Sequence, residues 1–311
     1  MKRKVIQHGH STLIISLPRK WTKKNDVNKG DEIEVREDDS ELVLSCETKK
    51  KLEKVEVNIT SYGKMIPRAI HALYKRGADE LHLTYDTEEA FSLVRNSLGK
   101  EAIGYEILET GKNRCIIKNV SEGTREFNQL LRQTFIILLS MAEEGERGFG
   151  EGNVDILHNL IPLEETNNRF TTVLRRYANT QGVKHFDRVG PTYFLLEMIE
   201  DIADEYKYMY QFFVDNPEKI KEVHKELLDD FKSVNKMLRK FYELFYKFDP
   251  KKVGGIKDSR DNLVKKLKEF TSKIKNQQDI LMFQHLMMLT KQIFSLLGPF
   301  LILAAAYQND K

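Results

Sequence analysis

The sequence predicts a multi-domain α+β protein in which a strand-rich start is followed by a small α+β unit and an all-α bundle. Three observations support this prediction. Short apolar segments alternate with polar residues over residues 2–46, and a second group of alternating segments lies between residues 55 and 117. From Thr124 onward, apolar residues recur at helical spacing. We therefore expect domains at 1–47, 54–120 and 124–308 of the 311 residues.

The N-terminal segment predicts four short strands, with a short basic helix between the second and the third. A polar loop leads into the apolar run 13–17, and Pro18 then opens the helix, where its missing N–H costs nothing. A turn at Gly30-Asp31 precedes the third strand, and an acidic turn precedes the fourth. Each strand is too short to bury a core alone, so we expect two copies of the segment to interleave.

Charge is distributed unevenly along this segment. Residues 1–30 carry eight basic residues against the single acid Asp26, a net charge of +7, whereas the whole chain has a net charge of +3. Residues 31–45 reverse the sign, with seven acids against Arg36. A fold that separates the two groups presents a phosphate-facing side whose binding falls steeply with salt. The candidate DNA contacts are Lys2, Arg3, Lys4, Ser11, Arg19, Lys20, Lys23 and Lys24.

The order and spacing of four short pieces resemble the AbrB/MazE family of swapped-hairpin DNA-binding domains. The pieces are 11–17, 17–21, 30–33 and 42–44. The resemblance implies an N-terminal swapped-hairpin β-barrel that forms a homodimer and contacts DNA. An unrelated β-meander with a basic tail remains the alternative.

The middle segment predicts a small sheet with helices on one face, in the order βαβαββ. Pro67 marks a late start or a kink in the first helix, and Gly77 ends it. Asp86 or Thr87 caps the second helix. The predicted strands are 55–59, 81–85, 105–107 and 115–117, and the predicted helices are 62–76 and 88–98. This segment has no Gly-rich phosphate loop and no catalytic triad, so we expect a spacer or packing domain.

Long apolar-periodic stretches predict an antiparallel helical bundle in the remaining chain. The predicted helices are 124–146, 154–180, 191–214, 217–248, 259–276 and 278–307. The predicted breaks are 145–152, 181–190, 215–217 and 248–257. The last break is the clearest, because it contains both Asp249-Pro250 and Gly254-Gly255.

One predicted helix, 191–213, separates apolar from acidic residues at about 100° per residue. Its apolar side comprises Leu196, Ile199, Ile202, Ala203, Tyr206, Tyr210 and Phe213. Its other side gathers Glu197, Glu200, Asp201 and Asp204, and the i, i+4 spacing stacks like charges over one another. This arrangement lowers the stability of the fold unless a cation or a basic partner balances the negative charge.

The text of residues 195–204, LLEMIEDIAD, resembles the PhoU family, whose bundles carry a repeated acidic E/D-xxx-D motif. Residues 163–170, with Glu164 and Glu165, fall where the other acidic motif of that family should lie. The resemblance covers 124–307, and with the N-terminal segment the chain resembles archaeal PhoU-related regulators. It implies iron or zinc on the acidic face, with candidate ligands Glu164, Glu165, Glu197, Glu200, Asp201 and Asp204.

The sequence departs from that pattern at two places. Asn168 stands where a carboxylate is expected, and 278–307 contains Asp279 but no E-xxx-D. Two interpretations of the acidic face therefore remain, namely a metal site and a solvated stripe of acidic residues. No metal-dependent phosphate hydrolase is expected, because the acidic motif has no accompanying Lys or Arg clamp and no histidine at helical spacing.

The expected function is a non-enzymatic, cytoplasmic, DNA-binding transcription regulator. The resemblance implies a link to phosphate uptake, with a phosphate transporter or sensor component as partner. The alternative is a PhoU-like adaptor whose N-terminal domain serves only dimerisation or protein binding. The two isolated cysteines, Cys46 and Cys115, and a start without an apolar signal segment fit the cytoplasm. The run 294–307 is too short to span a bilayer, so we expect no membrane insertion.

Overall fold

A computed structural model describes residues 2–38, 41–45, 52–121, 127–181 and 188–304. The chain divides into two compact units, Met1–Glu53 and Lys54–Lys311. Cys46, most of the charged connector after it and part of the predicted break at 181–190 lie outside the described residues.

The first unit contains two antiparallel hairpins with a helix between them. Strands β1 (Ile6–His8) and β2 (Thr12–Ile14) form the first hairpin, and β3 (Glu34–Asp38) and β4 (Glu41–Ser45) form the second. Helix α1 (Arg19–Lys24) lies between the hairpins in the sequence. The predicted order of four strands and one basic helix is confirmed.

Helix α1 begins where the proline predicts it. The carbonyl of Pro18 accepts hydrogen bonds from the backbone N–H groups of Trp21 and Thr22, at 2.8 and 3.0 Å. The side chain of Asn25 closes the other end by donating to the Trp21 carbonyl at 2.9 Å. The turns on either side need left-handed backbone, which Gly9 and Gly30 supply with φ of +69° and +100°.

No residue whose burial is described in the first unit is buried. Instead, apolar side chains of both hairpins face solvent, since Leu13 is 70 % exposed, Leu42 is 61 % exposed and Val35 is 56 % exposed. A segment that leaves such residues in water gains little hydrophobic stabilisation from its own fold.

The second unit opens with an α+β layer whose sheet order is β5-β6-β8-β7. Strands β5 and β6 pair in parallel, and the other neighbours pair antiparallel. The elements are β5 (Lys54–Asn58), α2 (Ile66–Arg76), β6 (Glu80–Thr84), α3 (Glu88–Ser97), β7 (Tyr105–Gly111) and β8 (Arg114–Asn119). The predicted order βαβαββ is confirmed.

The ends of these helices follow the predicted signals. Pro67 lies in the first turn of α2, after a 3-10 turn at Thr60–Met65, so the proline marks a late start rather than a kink. Gly77 ends the helix with φ of +108°. Of the two candidate caps of α3, Thr87 acts, because its side chain accepts from the N–H of Ala90 at 3.2 Å.

Helices form most of the remaining described residues of the second unit. They are α4 (Phe127–Glu151), α5 (Val154–Gln181), α6 (Val189–Asp215), α7 (Lys225–Tyr246), α8 (Pro250–Phe270), α9 (Gln277–Ser295) and α10 (Leu297–Ala304). The predicted helix 217–248 is divided, because a 3-10 turn at Pro217–Glu222 precedes α7. The predicted helix 278–307 is also divided, at Leu296.

The predicted break at 145–152 is wrong over most of its length, because α4 continues to Glu151. Gly145 is needed for packing rather than for a turn. A Cβ atom there would collide with the hydroxyl of Tyr210, which donates to the Met141 carbonyl at 2.7 Å. Gly148 gives similar room, since a Cβ atom there would lie 2.8 Å from a methyl carbon of Leu157.

The predicted loop at 248–257 is also wrong over most of its length, because α8 begins at Pro250. The side chain of Asp249 accepts from the backbone N–H of Lys251 at 3.0 Å and so caps the helix. Proline is favoured in a first helical turn. Gly254 and Gly255 lie inside the helix and are exposed.

The core of the bundle includes the predicted apolar side of α6. All seven residues named for that side are 0 % exposed, which confirms the helical wheel. A separate cluster, which includes Ile70, Leu81 and Ile117, fills the space between the sheet and its helices. Cys115 belongs to this second cluster, and burial raises the pKa of its thiol to about 11.

Among the described residues, one helical stretch is long and apolar enough to cross a membrane by length and composition. It is Gln277–Ala304, with a mean hydropathy of 1.7 over its most apolar window, and half of that window is buried within the protein. The apolar stretch therefore extends further toward the N-terminus than the predicted run 294–307, because it includes all of α9.

Candidate nucleic-acid interface and the acidic helix face

The predicted DNA contacts lie in three segments of the first unit. Three of them, 2–4, precede β1, and Ser11 lies in the turn of the first hairpin. The other four are on α1. All eight side chains are exposed.

The four basic residues of α1 share one side of the helix. At 3.6 residues per turn, Arg19, Lys20, Lys23 and Lys24 span an arc of about 140°. Trp21 falls on the opposite side and is partly buried. The helix therefore has a cationic face and an apolar face.

The acids closest in sequence to this face do not neutralise it through ion pairs. Asp31 accepts a hydrogen bond from the backbone N–H of Asn28 at 2.6 Å, and Asp26 is in a left-handed turn with φ of +49°. Within the described residues, no ion pair engages the seven candidate cations of this unit. We call these cations, together with Ser11, the basic surface.

Three of the four acidic residues predicted on α6, namely Glu197, Glu200 and Asp204, form ion pairs with basic residues of the same protein. Arg175 of α5 is fully buried and forms ion pairs with Glu197 and Glu200. Thr171 adds a hydrogen bond to Glu200, with 2.6 Å between the hydroxyl and the carboxylate oxygen. Lys75 of α2 lies 3.8 Å from Glu197. At Glu200, the description as a solvated acidic stripe is therefore wrong.

A second cation, Lys207, lies about two turns beyond Glu200 on α6. The ammonium of Lys207 is 2.9 Å from Glu164 of α5 and 2.8 Å from Asp204 of α6. The side-chain amide of Asn168 also donates to Glu164. The amide that replaces an expected carboxylate thus supports its neighbour.

Burial shifts the acid–base behaviour of these carboxyls. Burial and a hydrogen bond with Asp204 raise the pKa of Glu164 to about 7, against the opposing effect of Lys207. Burial also raises the pKa of Glu200, although Arg175 acts in the other direction. Although Asp201 is exposed, partial removal of its carboxyl group from water and the neighbouring charges of Glu197 and Asp204 raise its pKa.

Four of the six candidate metal ligands meet along the contact of α5 and α6, namely Glu164, Glu197, Glu200 and Asp204. Glu165 and Asp201 are exposed. In the part of the chain that the structure describes, no three His, Cys, Asp or Glu side chains form a metal-binding group. Arg175 and Lys207 already balance the carboxylates that meet, which weakens their attraction for iron or zinc. The metal site that the resemblance implies is untested.

The sequence argument against a hydrolase missed two facts. Arg175 and Lys207 do place cations beside the acidic residues. A histidine also reaches this helix from another element, since His285 of α9 lies 2.7 Å from Glu205. The signal that could have revealed Arg175 is its place among apolar residues of a helix, because a buried charge requires a partner.

Comparison with known families gives a match for the first unit. Residues 6–54 match the family model described as antidote-toxin recognition MazE, bacterial antitoxin. The N-terminal unit is therefore similar to AbrB/MazE domains, and we call it the AbrB/MazE-like domain. The matched residues carry the whole basic surface except Lys2, Arg3 and Lys4, which precede the match. The comparison with curated proteins found no match, and neither did the comparison with solved structures.

Proposed function

We propose that the protein is a DNA-binding regulator whose AbrB/MazE-like domain contacts DNA phosphates through the basic surface. The observation that carries this proposal is the set of seven exposed cations in that domain and its leading segment, with no ion pair to a described residue. Lys and Arg side chains that neutralise phosphates provide most of the affinity for DNA.

The proposal includes a homodimer. The exposed apolar residues of both hairpins, such as Leu13 and Leu42, support it, because a second copy would remove them from water. Interleaved hairpins in a swapped barrel are the arrangement that the AbrB/MazE resemblance implies. Dimerisation would also double the number of cations that face the DNA.

We further propose that the helical part of the second unit senses a signal or binds a partner. The resemblance of 195–204 to the acidic motif of PhoU proteins supports a link to phosphate uptake, with a transporter or sensor component as partner. The same proposal holds that the protein is cytoplasmic and not an enzyme.

A second candidate function is that the AbrB/MazE-like domain binds a protein or only dimerises. The description of the matching family, antidote-toxin recognition, favours this candidate. The protein would then act as an adaptor, and its basic surface would have no measurable effect on DNA binding.

A titration of fluorescent duplex DNA with the full chain, repeated over a range of salt, separates the two candidates. The variant Arg19→Ala with Lys20→Ala should bind several-fold more weakly. Its log–log salt slope should flatten by about 0.9 for each DNA phosphate that the variant no longer neutralises. The control is Lys251→Ala with Lys252→Ala, which removes two exposed cations of α8. Equal affinity and slope for all three proteins would favour the adaptor.

A further inference from the structure

A small groove runs between α7 and α8, with a cavity volume of about 200 Å³. Its polar lining comes from the two helices at matching positions. These residues are Ser233, Lys236 and Lys240 on α7 and Ser259, Asn262 and Lys266 on α8. Each set follows the spacing i, i+3, i+7, which places all three residues on one side of a helix.

The floor of the groove is apolar and closed. Met237 and Leu263 line it, and they are 0 % and 3 % exposed. Met237 lies four residues after Ser233, and Leu263 lies four residues after Ser259. On each helix, polar side chains therefore flank a buried apolar residue. The polar groups are therefore held above a packed helix pair.

Positive charge dominates the groove, since three lysines line it and no carboxylate does. Lys236 is exposed and makes no ion pair with a described residue. Lys240 crosses the groove and donates to the hydroxyl of Ser259 at 3.0 Å. Lys266 lies 3.8 Å from the buried carboxylate of Asp230, which belongs to α7 but does not line the groove.

From this arrangement we infer a binding site for a small phosphorylated anion. The donors that remain for phosphate oxygens are the ammonium groups of the three lysines and the side-chain amide of Asn262, because the hydroxyls of Ser233 and Ser259 donate to the backbone carbonyls of Asp229 and Gly255. The cavity is below the volume of about 300–1,000 Å³ that is usual for larger ligands. It therefore fits one or two phosphoryl groups. The site lies in the helical part of the second unit. It is separate from the residues proposed to bind DNA, and the inference does not depend on DNA binding.

Calorimetric titration of the full chain with inorganic pyrophosphate tests the inference. O-phosphoserine serves as a second probe and distinguishes a free phosphate compound from a phosphorylated side chain. The variant Lys236→Gln with Lys240→Gln should weaken pyrophosphate binding about tenfold or more, since the loss of each exposed lysine weakens binding several-fold and the two effects multiply.

Three further variants make the result specific. Lys251→Gln with Lys252→Gln removes two cations from α8 outside the groove, and Arg19→Ala with Lys20→Ala removes two from the basic surface. Both should bind pyrophosphate as the parent does. Lys236→Gln alone, at an exposed position, should keep the fold and still weaken binding several-fold.

Absence of pyrophosphate and O-phosphoserine binding in the parent would overturn the inference. Equal weakening in the groove variant and in the α8 control would also overturn it, because the effect would then follow net charge. Either result leaves the DNA proposal unaffected, since that proposal depends on the salt titration of Arg19 and Lys20.

Discussion

Arg176 of α5 and Asp79, which follows α2, form a buried ion pair with 2.7 Å between Nη2 and Oδ1. The same guanidinium donates to the carbonyl oxygens of Tyr74 and Ala78, each at 2.8 Å. It thereby places a positive charge at the C-terminal end of α2, where the helix dipole is negative. One side chain of the bundle thus fixes the end of a helix in the α+β layer.

Replacing Arg176 by Ala should lower the free energy of unfolding by about 3–5 kcal/mol, because Asp79 would keep a buried charge without this cation. Urea denaturation measures the change. The control is Arg147→Ala, whose ion pairs with Glu144 and Glu151 are exposed, and which should change stability little. Equal effects of the two substitutions would show that the Arg176 contact contributes no more than a surface ion pair.

Replacing Glu200 by Gln should destabilise the protein by about 1–3 kcal/mol, because buried Arg175 would keep only Glu197 as a charged partner. Asp201→Asn is the matched control on the exposed side of the same helix. It removes a charge that neighbouring acids repel, so stability should stay the same or rise by a few tenths of a kcal/mol. Thermal denaturation measures the stability of both variants. If Glu200→Gln left stability unchanged, as expected for Asp201→Asn, Glu200 would belong to a solvated stripe.

The double variant Glu200→Gln with Asp204→Asn tests metal binding. Since Arg175 and Lys207 balance these carboxylates, we expect no stoichiometric iron or zinc in the purified parent by elemental analysis. If the acidic face does hold metal, the parent should contain it and the double variant should lose it. The melting temperature in the presence of metal should then fall as well, because a ligand of the folded state stabilises that state.

Stability should depend on the protonation of Glu164. Its folded-state pKa is raised to about 7 from a usual value of 4.5, so between these values the folded protein holds a proton that the unfolded chain releases. The free energy of unfolding should therefore fall as pH rises through this window, by at most about 1.4 kcal/mol per pH unit. In Glu164→Gln this slope should be smaller, whereas exposed Glu165→Gln should keep it. Urea denaturation from pH 5 to 8 measures both slopes.

Self-association should depend on the first unit. The full chain is expected to be at least a dimer, and deletion of residues 1–47 should weaken its association, because no residue with described burial in this unit is buried by its own fold. Light scattering at micromolar concentration measures the molar mass of both proteins. A full-length monomer would rule out the swapped-hairpin arrangement.

Local patterns in the sequence were enough to predict most elements. Alternation located the strands of both units, and the helical wheel of 191–213 identified a face that is fully buried. These signals are local, since each depends on residues within one strand or a few turns of one helix. Caps were predicted for the same reason, as Thr87 shows.

The errors arose where one residue type serves two purposes. Glycine indicates a turn, but Gly145 and Gly148 allow other side chains to approach α4 closely. Asp249-Pro250 was interpreted as a loop, although the same pair caps and starts a helix. A single sequence does not distinguish these uses, because the deciding contact comes from another element.

The charged partners of α6 were missed for a related reason. Arg175 and Glu200 are on different helices, and their pairing follows from how α5 and α6 pack. The position of Lys207 beside Asp204 can be read from the spacing on one helix, but its second partner, Glu164, cannot. The basic surface was easier to identify, because its cations follow one another closely in the sequence.

Gly145 has a consequence for the stability of α4 while the chain is being synthesised. Glycine in a helix costs about 0.5–1 kcal/mol relative to alanine, and α4 contains Gly145, Gly148 and Gly150. The contact that makes Gly145 favourable comes from Tyr210. A ribosome delivers that tyrosine only after α5 and most of α6, so α4 lacks its stabilising neighbour during synthesis.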